Sequence, residues 1–341
     1  MTIHDSSEII RDFVIKKIRN QKKDITKIIS ERFNISRQAA HRHIKKMVDE
    51  GLISQTGNTK ARVYEIKQIL KKEFVYQIKT STDEDKVWRE DFADLLRNIS
   101  KNVYEICHYG FTEIFNNALS HSEGTTITAS IIYWPDLIRI IIHDNGIGVF
   151  NKIAKIYNLD DPLHAILELS KGKLSTDPES HSGQGIFYTS RIFDKFCIFS
   201  SNYIFTHLGT KFDLMYEDQK PTIGTDVLME ISPNSKKTTQ KIFNLYTTDV
   251  DEYNFDKTLV PVFLARYGDD NLISRSQAKR LLARFDRFKE VVLDFDKVNM
   301  IGQAFADEIF RVFKNNHPLI SINSINANDE IKKMIKRVQF N

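Results

Sequence analysis

Apolar residues at Ile9, Ile10, Phe13, Val14 and Ile18 recur at helical spacing, so the chain is expected to begin with an amphipathic helix. After the polar turn at 20–23, a second short helix with Asp24 as N-cap runs through Ile28, Ile29 and Phe33. Ser36 is placed to cap a third, with Ala40, Ile44 and Met47 or Val48 facing inward, and Gly51 ends it at the C′ position. Residues 52–54 and 62–66 then alternate like two strands around the polar tip 55–60. From 73 to about 87 the chain reads as extended. From Trp88 it turns helical, with Leu95, Leu96, Ile99, Val103, Ile106 and Tyr109 supporting one or two helices packed on a sheet. Strands are expected at 126–133 and 137–143 around the turn Trp134-Pro135-Asp136, and a closing strand at 227–231. Beyond a short polar, basic linker at 235–239 the pattern alternates: strand 259–265, helix 274–285 capped by Ser274, buried strand 291–295, helix 304–313, strand 319–322 and helix 328–338. That alternation predicts an α/β layer.

The length of 341 residues and an apolar content of 41% suit two or three domains with their own cores. Charge throughout the N-terminal segment argues against a secretory or transit peptide, and apolar runs such as 138–142 are far below the ~20 residues that span a bilayer. No membrane association and a cytoplasmic location are therefore expected. Cys107 and Cys197 have no partner at ligand spacing and are read as buried thiols. The net charge of +4 is unevenly placed. Residues 1–72 hold seventeen Lys or Arg against eight Asp or Glu, which leaves the rest of the chain net acidic. A polyanion would bind at the basic end.

The order helix, helix, helix, hairpin is that of a winged helix-turn-helix, and the segment Ile35-Ser-Arg-Gln-Ala-Ala-His-Arg-His-Ile-Lys-Lys-Met-Val-Asp-Glu-Gly-Leu52 resembles the winged-helix domains of bacterial regulators. The solvent face of the third helix would carry Arg37, Gln38, His41, Arg42 and Lys45. Arg and Gln suit base edges in the major groove and lysines suit phosphates, while Lys60 and Arg62 on the wing would reach adjacent backbone or the minor groove. Double-stranded DNA is the expected partner. A homodimer is expected too, since such proteins commonly bind two half-sites.

Three further motifs follow in order. Glu113-Ile-Phe-Asn-Asn117-Ala-Leu-Ser-His121 stacks a carboxylate and a carboxamide on one helix face, the geometry of a base beside a metal ligand. Asp144-Asn-Gly146-Ile-Gly148 and Gly183-Gln184-Gly185 are glycine turns where backbone can approach a ligand closely. The second opens a helix, whose N-terminus favours phosphate oxygens. Over roughly 100–232 the chain resembles the GHKL superfamily of gyrase-type topoisomerases, Hsp-type chaperones, mismatch-repair ATPases, sensor histidine kinases and anti-sigma-factor serine kinases. Glu113 and Asn117 match its N box, Asp144 to Gly148 its G1 box, and Gly183 to Gly185 its G2 box. A Gly-Thr pair before the last strand is also typical; of Thr210 and Thr225, Thr225 is preferred because 227–231 reads as that strand.

The resemblance implies ATP with Mg²⁺. Asp144 would accept from the adenine amino group, Gly146 and Gly148 would let the turn press on the base, and Asn117 would supply an oxygen to the metal. The polar loop 171–181 reads as a mobile lid. Lys171 or Lys173 is a candidate to cover the γ-phosphate, a solvated loop lysine being the alternative, and Lys173 is carried as a nucleotide ligand. His121 lies two turns beyond Glu113, toward the phosphates or in a structural hydrogen bond. Glu113 implies a general base, which makes ATP hydrolysis or a protein serine kinase activity possible. A histidine kinase is disfavoured, because no dimerisation helix with a phosphoacceptor His-Glu or His-Asp pair is found.

The run from Val291 to Glu308 resembles STAS-like domains, the fold of anti-sigma-factor antagonists. Where phosphorylatable members carry a serine, this chain has Gln303 or Ala304, so the domain is taken as an interaction or coupling module with a protein partner. The expected fold is multidomain α+β. A winged helix-turn-helix occupies 1–72, a GHKL α/β sandwich with a mixed sheet and helices on one face 73–235, and a STAS-like α/β domain 240–341. The expected function is an ATP-binding, DNA-binding transcriptional regulator. The alternative is a serine/threonine kinase of the anti-sigma-factor type acting on a separate protein.

Overall fold

The computed structural model describes residues 3–58, 61–159, 163–174, 183–209, 213–249, 254–266 and 270–340. Helices α1 (Ile3–Asn20), α2 (Ile25–Phe33) and α3 (Arg37–Asp49) precede an antiparallel hairpin of β1 (Ile53–Thr56) and β2 (Val63–Ile66). Val14, Ile18, Ile29, Ile44, Met47 and Tyr64 close a small separate core, in which Met47 rather than Val48 is fully buried. Ser36 caps α3 by accepting from the Ala39 N–H at 3.1 Å, and Gly51 takes the left-handed turn at φ 73°. Asp24 does not cap α2. It sits in a left-handed turn at φ 60°, and a capping side chain reaches the helix N–H groups from extended backbone.

The central domain contains β3 (Leu70–Gln77), α4 (Glu84–Val87), α5 (Lys101–His121), β4 (Thr126–Trp134), β5 (Leu137–Asp144), α6 (Val149–Ile156), α7 (Leu163–Lys171), α8 (Gly185–Ile192), β6 (Lys195–Leu208) and β7 (Asp213–Ile231). β3 begins at Leu70, so the central sheet starts a little before residue 73. Residues 84–87 are helical rather than extended because the Asp83 carboxylate accepts from the Lys86 N–H at 2.7 Å and caps that turn.

The sheet order is β3-β4-β5-β7-β6, and all four pairings are antiparallel. This corrects the expected mixed sheet. β5 and β6 do run parallel, joined by the crossover through α6, α7 and α8, but β7 returns between them and pairs antiparallel with both. Along β5, Ile138, Ile140, Ile142 and Asp144 point into the core while the alternate positions stay half-exposed. α5 covers that inner face with Val103, Ile106, Phe111, Ile114 and Phe115. The outer face is polar, with Arg139 donating to Glu230 at 2.7 Å and His143 paired with Asp226.

The C-terminal part comprises α9 (Thr239–Leu245), β8 (Lys257–Pro261), α10 (Arg275–Leu282), β9 (Glu290–Asp294), α11 (Gln303–Asp307), α12 (Lys314–Asn316), β10 (Ser321–Ile325) and α13 (Asp329–Gln339). Its three strands are parallel in the order β10-β9-β8. β8 stops at Pro261, and residues 262–265, expected as strand, form a 3-10 turn. β10 starts two residues later than the apolar pattern suggested, leaving Leu319 exposed. Ser274 and Gln277 form a capping box on α10, and Asn328 caps α13.

The parts are joined tightly. Arg19, at the end of α1, grips Asp136 with Nε and Nη2 at 2.6 and 2.7 Å, and its guanidinium lies 5.5 Å from the Trp134 ring centre. The central and C-terminal parts share one apolar core, in which Phe187, Tyr188, Phe255 and Phe288 form a chain of ring contacts.

Candidate functional site

A cleft of about 320 Å³ opens between the end of α5, the turn after β5 and the start of α8. The long α5 carries Glu113 and Asn117 to its wall, one helical turn apart. Asp144, the last residue of β5, faces Thr225 across the β5–β7 ladder, and both line the cleft with Gly148, Gly183, Gln184 and Gly185. Ile142, Ile153, Leu169, Ile198 and Val227 supply an apolar floor. Few polar groups aimed into an apolar pocket is the usual make-up of a small-molecule site.

Asp144 is 6% exposed. Its Oδ1 accepts from the Gly146 N–H at 2.9 Å, while the Thr225 Oγ1 accepts from the Val149 N–H at 3.0 Å. Burial raises the Asp144 carboxyl above its ordinary range, and its hydrogen bonds to Gly146 and Thr225 and the nearby His143 act against that rise. Glycine is required here by backbone proximity. At Gly224, φ is 73° and a Cβ would stand 1.9 Å from the Asp144 carbonyl oxygen. Gly148 also takes a positive φ, of 85°. Gly146 does not line the cleft. A Cβ there would meet the Ser122 carbonyl oxygen at 2.0 Å, so its small size serves the packing of the turn against the end of α5.

Gly185 brings α8 onto Glu113, since a Cβ at this position would lie 2.0 Å from the Glu113 Oε2. Gln184 makes no side-chain cap bond at the start of α8. His121 lines the cleft, and its carbonyl accepts from the Lys152 Nζ at 2.7 Å. Lys152, which also pairs with Glu123 at 3.1 Å, is the cation that the sequence reading missed. Its signal was only a lysine one turn into the helix after Gly148, indistinguishable from a surface lysine.

Lys171 and Lys173 do not line the cleft, which corrects both assignments. Lys171 is fully buried, donating to the Glu168 Oε1 at 2.6 Å and to the carbonyls of Arg280 and Ala283 at 3.1 and 3.0 Å. Burial lowers its pKa to about 8 against the pull of Glu168. Lys173 donates to the Arg287 carbonyl at 2.6 Å and lies over the Phe288 ring. Both lysines face the C-terminal part, where the carbonyls of Arg280, Ala283 and Arg287 accept from them. Residues 175–181 of the expected lid and Thr210 lie outside the described residues.

On α3, Arg37, Gln38, Arg42 and Lys45 are exposed and His41 is half-exposed. Among the described residues no acidic side chain is ion-paired with Arg37, Arg42 or Lys45, so the positive face is uncompensated. Arg62 departs from expectation. It is half-buried beside the hairpin, with its Nε shut from solvent and lacking a hydrogen-bond partner among the described residues. Lys60 lies outside them. No described helix is long and apolar enough to cross a membrane.

Residues 27–54 match the family model for winged helix-turn-helix DNA-binding domains. Residues 277–332 match that of a STAS-like domain of unknown function (DUF4325). No curated protein matches the chain. The molecule is a multidomain α/β protein in which an α/β sandwich with an open cleft separates a winged helix-turn-helix domain from a STAS-like domain.

Proposed function

We propose that the central sandwich is a GHKL-type nucleotide domain that binds ATP with Mg²⁺, and that its nucleotide state is coupled to DNA binding by the winged helix. The observation that carries this is convergence: Glu113, Asn117, Asp144, Thr225 and the Gly183–Gly185 turn, spread over more than a hundred residues, line one cleft. The donor set fits the ligand. Among the described residues no cluster of three or more His, Cys, Asp or Glu side chains forms a metal cage. A magnesium ion held by the Asn117 carbonyl oxygen with phosphate and water oxygens needs none. Asp144, held by Gly146 and opposite Thr225, presents a carboxylate acceptor suited to the adenine amino group. The start of α8 and Lys152 supply positive potential for phosphates. Bound Mg²⁺ would neutralise and orient the phosphate oxygens, and Glu113 stands where a base can orient or deprotonate a nucleophile.

Arg37, Gln38, His41, Arg42 and Lys45 form the DNA-reading face in this scheme, and two copies on two half-sites form its functional unit. Arg19 and Trp134 attach the winged helix to the β4–β5 turn, at the far end of β5 from Asp144. β5 therefore connects the two sites as one rigid element. Any effect of ATP on DNA affinity must be matched by an equal effect of DNA on ATP affinity.

The test compares Mg²⁺-dependent ATP binding and turnover in the wild type, Asn117→Ala and Glu113→Ala. Loss of binding in the first, and loss of turnover with binding retained in the second, are expected. Tight ATP binding by Asn117→Ala without any Mg²⁺ dependence would remove the metal assignment. Phosphate transferred to another protein, and lost with Glu113→Ala, would turn the reading toward a kinase. DNA binding is tested with Arg37→Ala plus Arg42→Ala, which should weaken it and flatten its salt dependence.

A further inference from the structure

α7 has one side in each of two domains. Every residue from His164 to Gly172 is buried, although the segment contains Glu168, Ser170 and Lys171. Leu169, and Leu174 just beyond, form part of the cleft wall. The other side of the same segment is held by the STAS-like domain through ions and backbone. Arg284 donates to the Glu168 Oε2 at 2.6 Å, to the Glu168 carbonyl at 3.0 Å and to the Lys173 carbonyl at 3.1 Å. Lys171 in turn caps the carbonyls at the end of α10, and the Thr258 hydroxyl of β8 donates to the Lys171 carbonyl at 2.7 Å. Gly172, at φ 77°, lies so close to the Phe255 ring that a Cβ would meet it at 2.6 Å.

Such a contact resists gradual sliding. Glu168, Lys171 and Arg284 meet in a low-dielectric seam, where the one carboxylate is counter-ion to both cations. A shift that parted them by a few ångströms without admitting water would leave charges buried and unpaired. Docked, or parted far enough to admit water, are therefore the two arrangements that leave no charge buried and unpaired, and a packed seam with two arrangements is the kind of element that transmits coupling.

We infer that the STAS-like domain is a built-in effector of the cleft: docked on α7, it holds Leu169 and Leu174 in the wall, so nucleotide binding and domain docking are thermodynamically linked. The inference rests on the cleft's being a nucleotide site. By reciprocity, nucleotide tightens the seam by the same factor with which the docked seam tightens nucleotide binding.

Two measurements on the full chain test it. Mg-ATP affinity is compared between the wild type and Arg284→Met, which deletes the STAS-side cation and leaves the Glu168–Lys171 pair in place. The variant should bind ATP about fivefold more weakly or worse, the lower end of ordinary allosteric coupling. Hydrogen exchange of the unaltered protein is followed at residues 257–265 and 275–287, which do not line the cleft, with and without Mg-ATP. Slower exchange there on adding nucleotide supports the linkage even if the variant folds poorly. If the wild type binds Mg-ATP and its exchange at those residues does not change, the linkage is overturned and the nucleotide site stands. If the wild type binds no ATP, both fall.

Discussion

Glu168→Ala tests the electrostatics of the α7 seam directly. Glu168 is 4% exposed and accepts from Lys171 at 2.6 Å and from Arg284 at 2.6 Å, so truncation strips the buried Lys171 and the half-buried Arg284 of the carboxylate between them. Removing one partner of a buried ion pair costs about 3–5 kcal/mol, because the remaining charge stays desolvated without compensation. Lys171 limits the loss. Its pKa of about 8 already lies well below the ordinary lysine value of 10.5, and without Glu168 it falls further, so the amine can shed its proton. The sign of the pH dependence follows. Between the depressed folded pKa and 10.5 the unfolded chain binds more protons than the native one, so stability rises with pH across that window. The window opens at lower pH in the variant, so its deficit against the wild type shrinks as pH rises through about 8 and levels off above it, where both proteins gain stability alike.

Urea unfolding followed by tryptophan fluorescence is the assay, since Trp88 and Trp134 both lie in the central domain. Glu90→Ala is the control. Its pair with Lys86 is more than 60% exposed on both sides, so it should cost well under ~1 kcal/mol. A loss below about 1 kcal/mol for Glu168→Ala at pH 7, or a deficit that grows with pH, would refute the argument.

Gly224→Ala should destabilise the central domain by roughly 2 kcal/mol or more and abolish ligand binding in the cleft, because the left-handed backbone and the clash with the Asp144 carbonyl act together; thermal unfolding and ATP titration measure both. Because burial holds the Asp144 carboxyl above the usual range, nucleotide affinity should begin to fall on acidification at pH values above those at which an ordinary aspartate protonates, as a calorimetric pH series would record. An affinity independent of pH down to 4 would count against Asp144 as the adenine acceptor. Cys107 and Cys197 are buried, with thiol pKa values raised by burial, so a thiol reagent should label them slowly in the native protein and both quickly in denaturant.

Most elements were legible in the sequence because each carries its own local signal. α3 is marked by Ser36 and Gly51 at its ends and by Ala40 and Ile44 on one side, and the structure keeps all four in those places. Glu113 and Asn117 stood out by their spacing on one helix and Asp144 by the glycine turn after it, while Thr225 came from the family resemblance; the structure brings all four to one cleft. Boundaries were less legible. The helical turn 84–87 depends on a single capping Asp83, and the shift of β10 depends on which register of Ser321–Ile325 pairs with β9.

Lys171 and Lys173 show where local signals end. In sequence they are lysines of a glycine-containing polar loop, the composition of a solvated lid; the burial of Lys171 and the docking of Lys173 follow from Glu168, Arg284 and Phe255, of which two lie more than eighty residues away. Lys152 was missed for the same reason in reverse, a surface-like lysine that its bond to the His121 carbonyl and its pair with Glu123 hold at the cleft. Hydrophobic period, capping and glycine conformation act over a few residues, so the winged helix, the motif-bearing helix and turns, and the α/β alternation beyond them can be read from local stretches of the chain. Folding in three dimensions is what inserts β7 between β5 and β6 and brings Lys152 to the cleft. It alone decided that α7 belongs to two domains at once, since sheet pairing and charge burial are settled by contacts between segments that share no local signal.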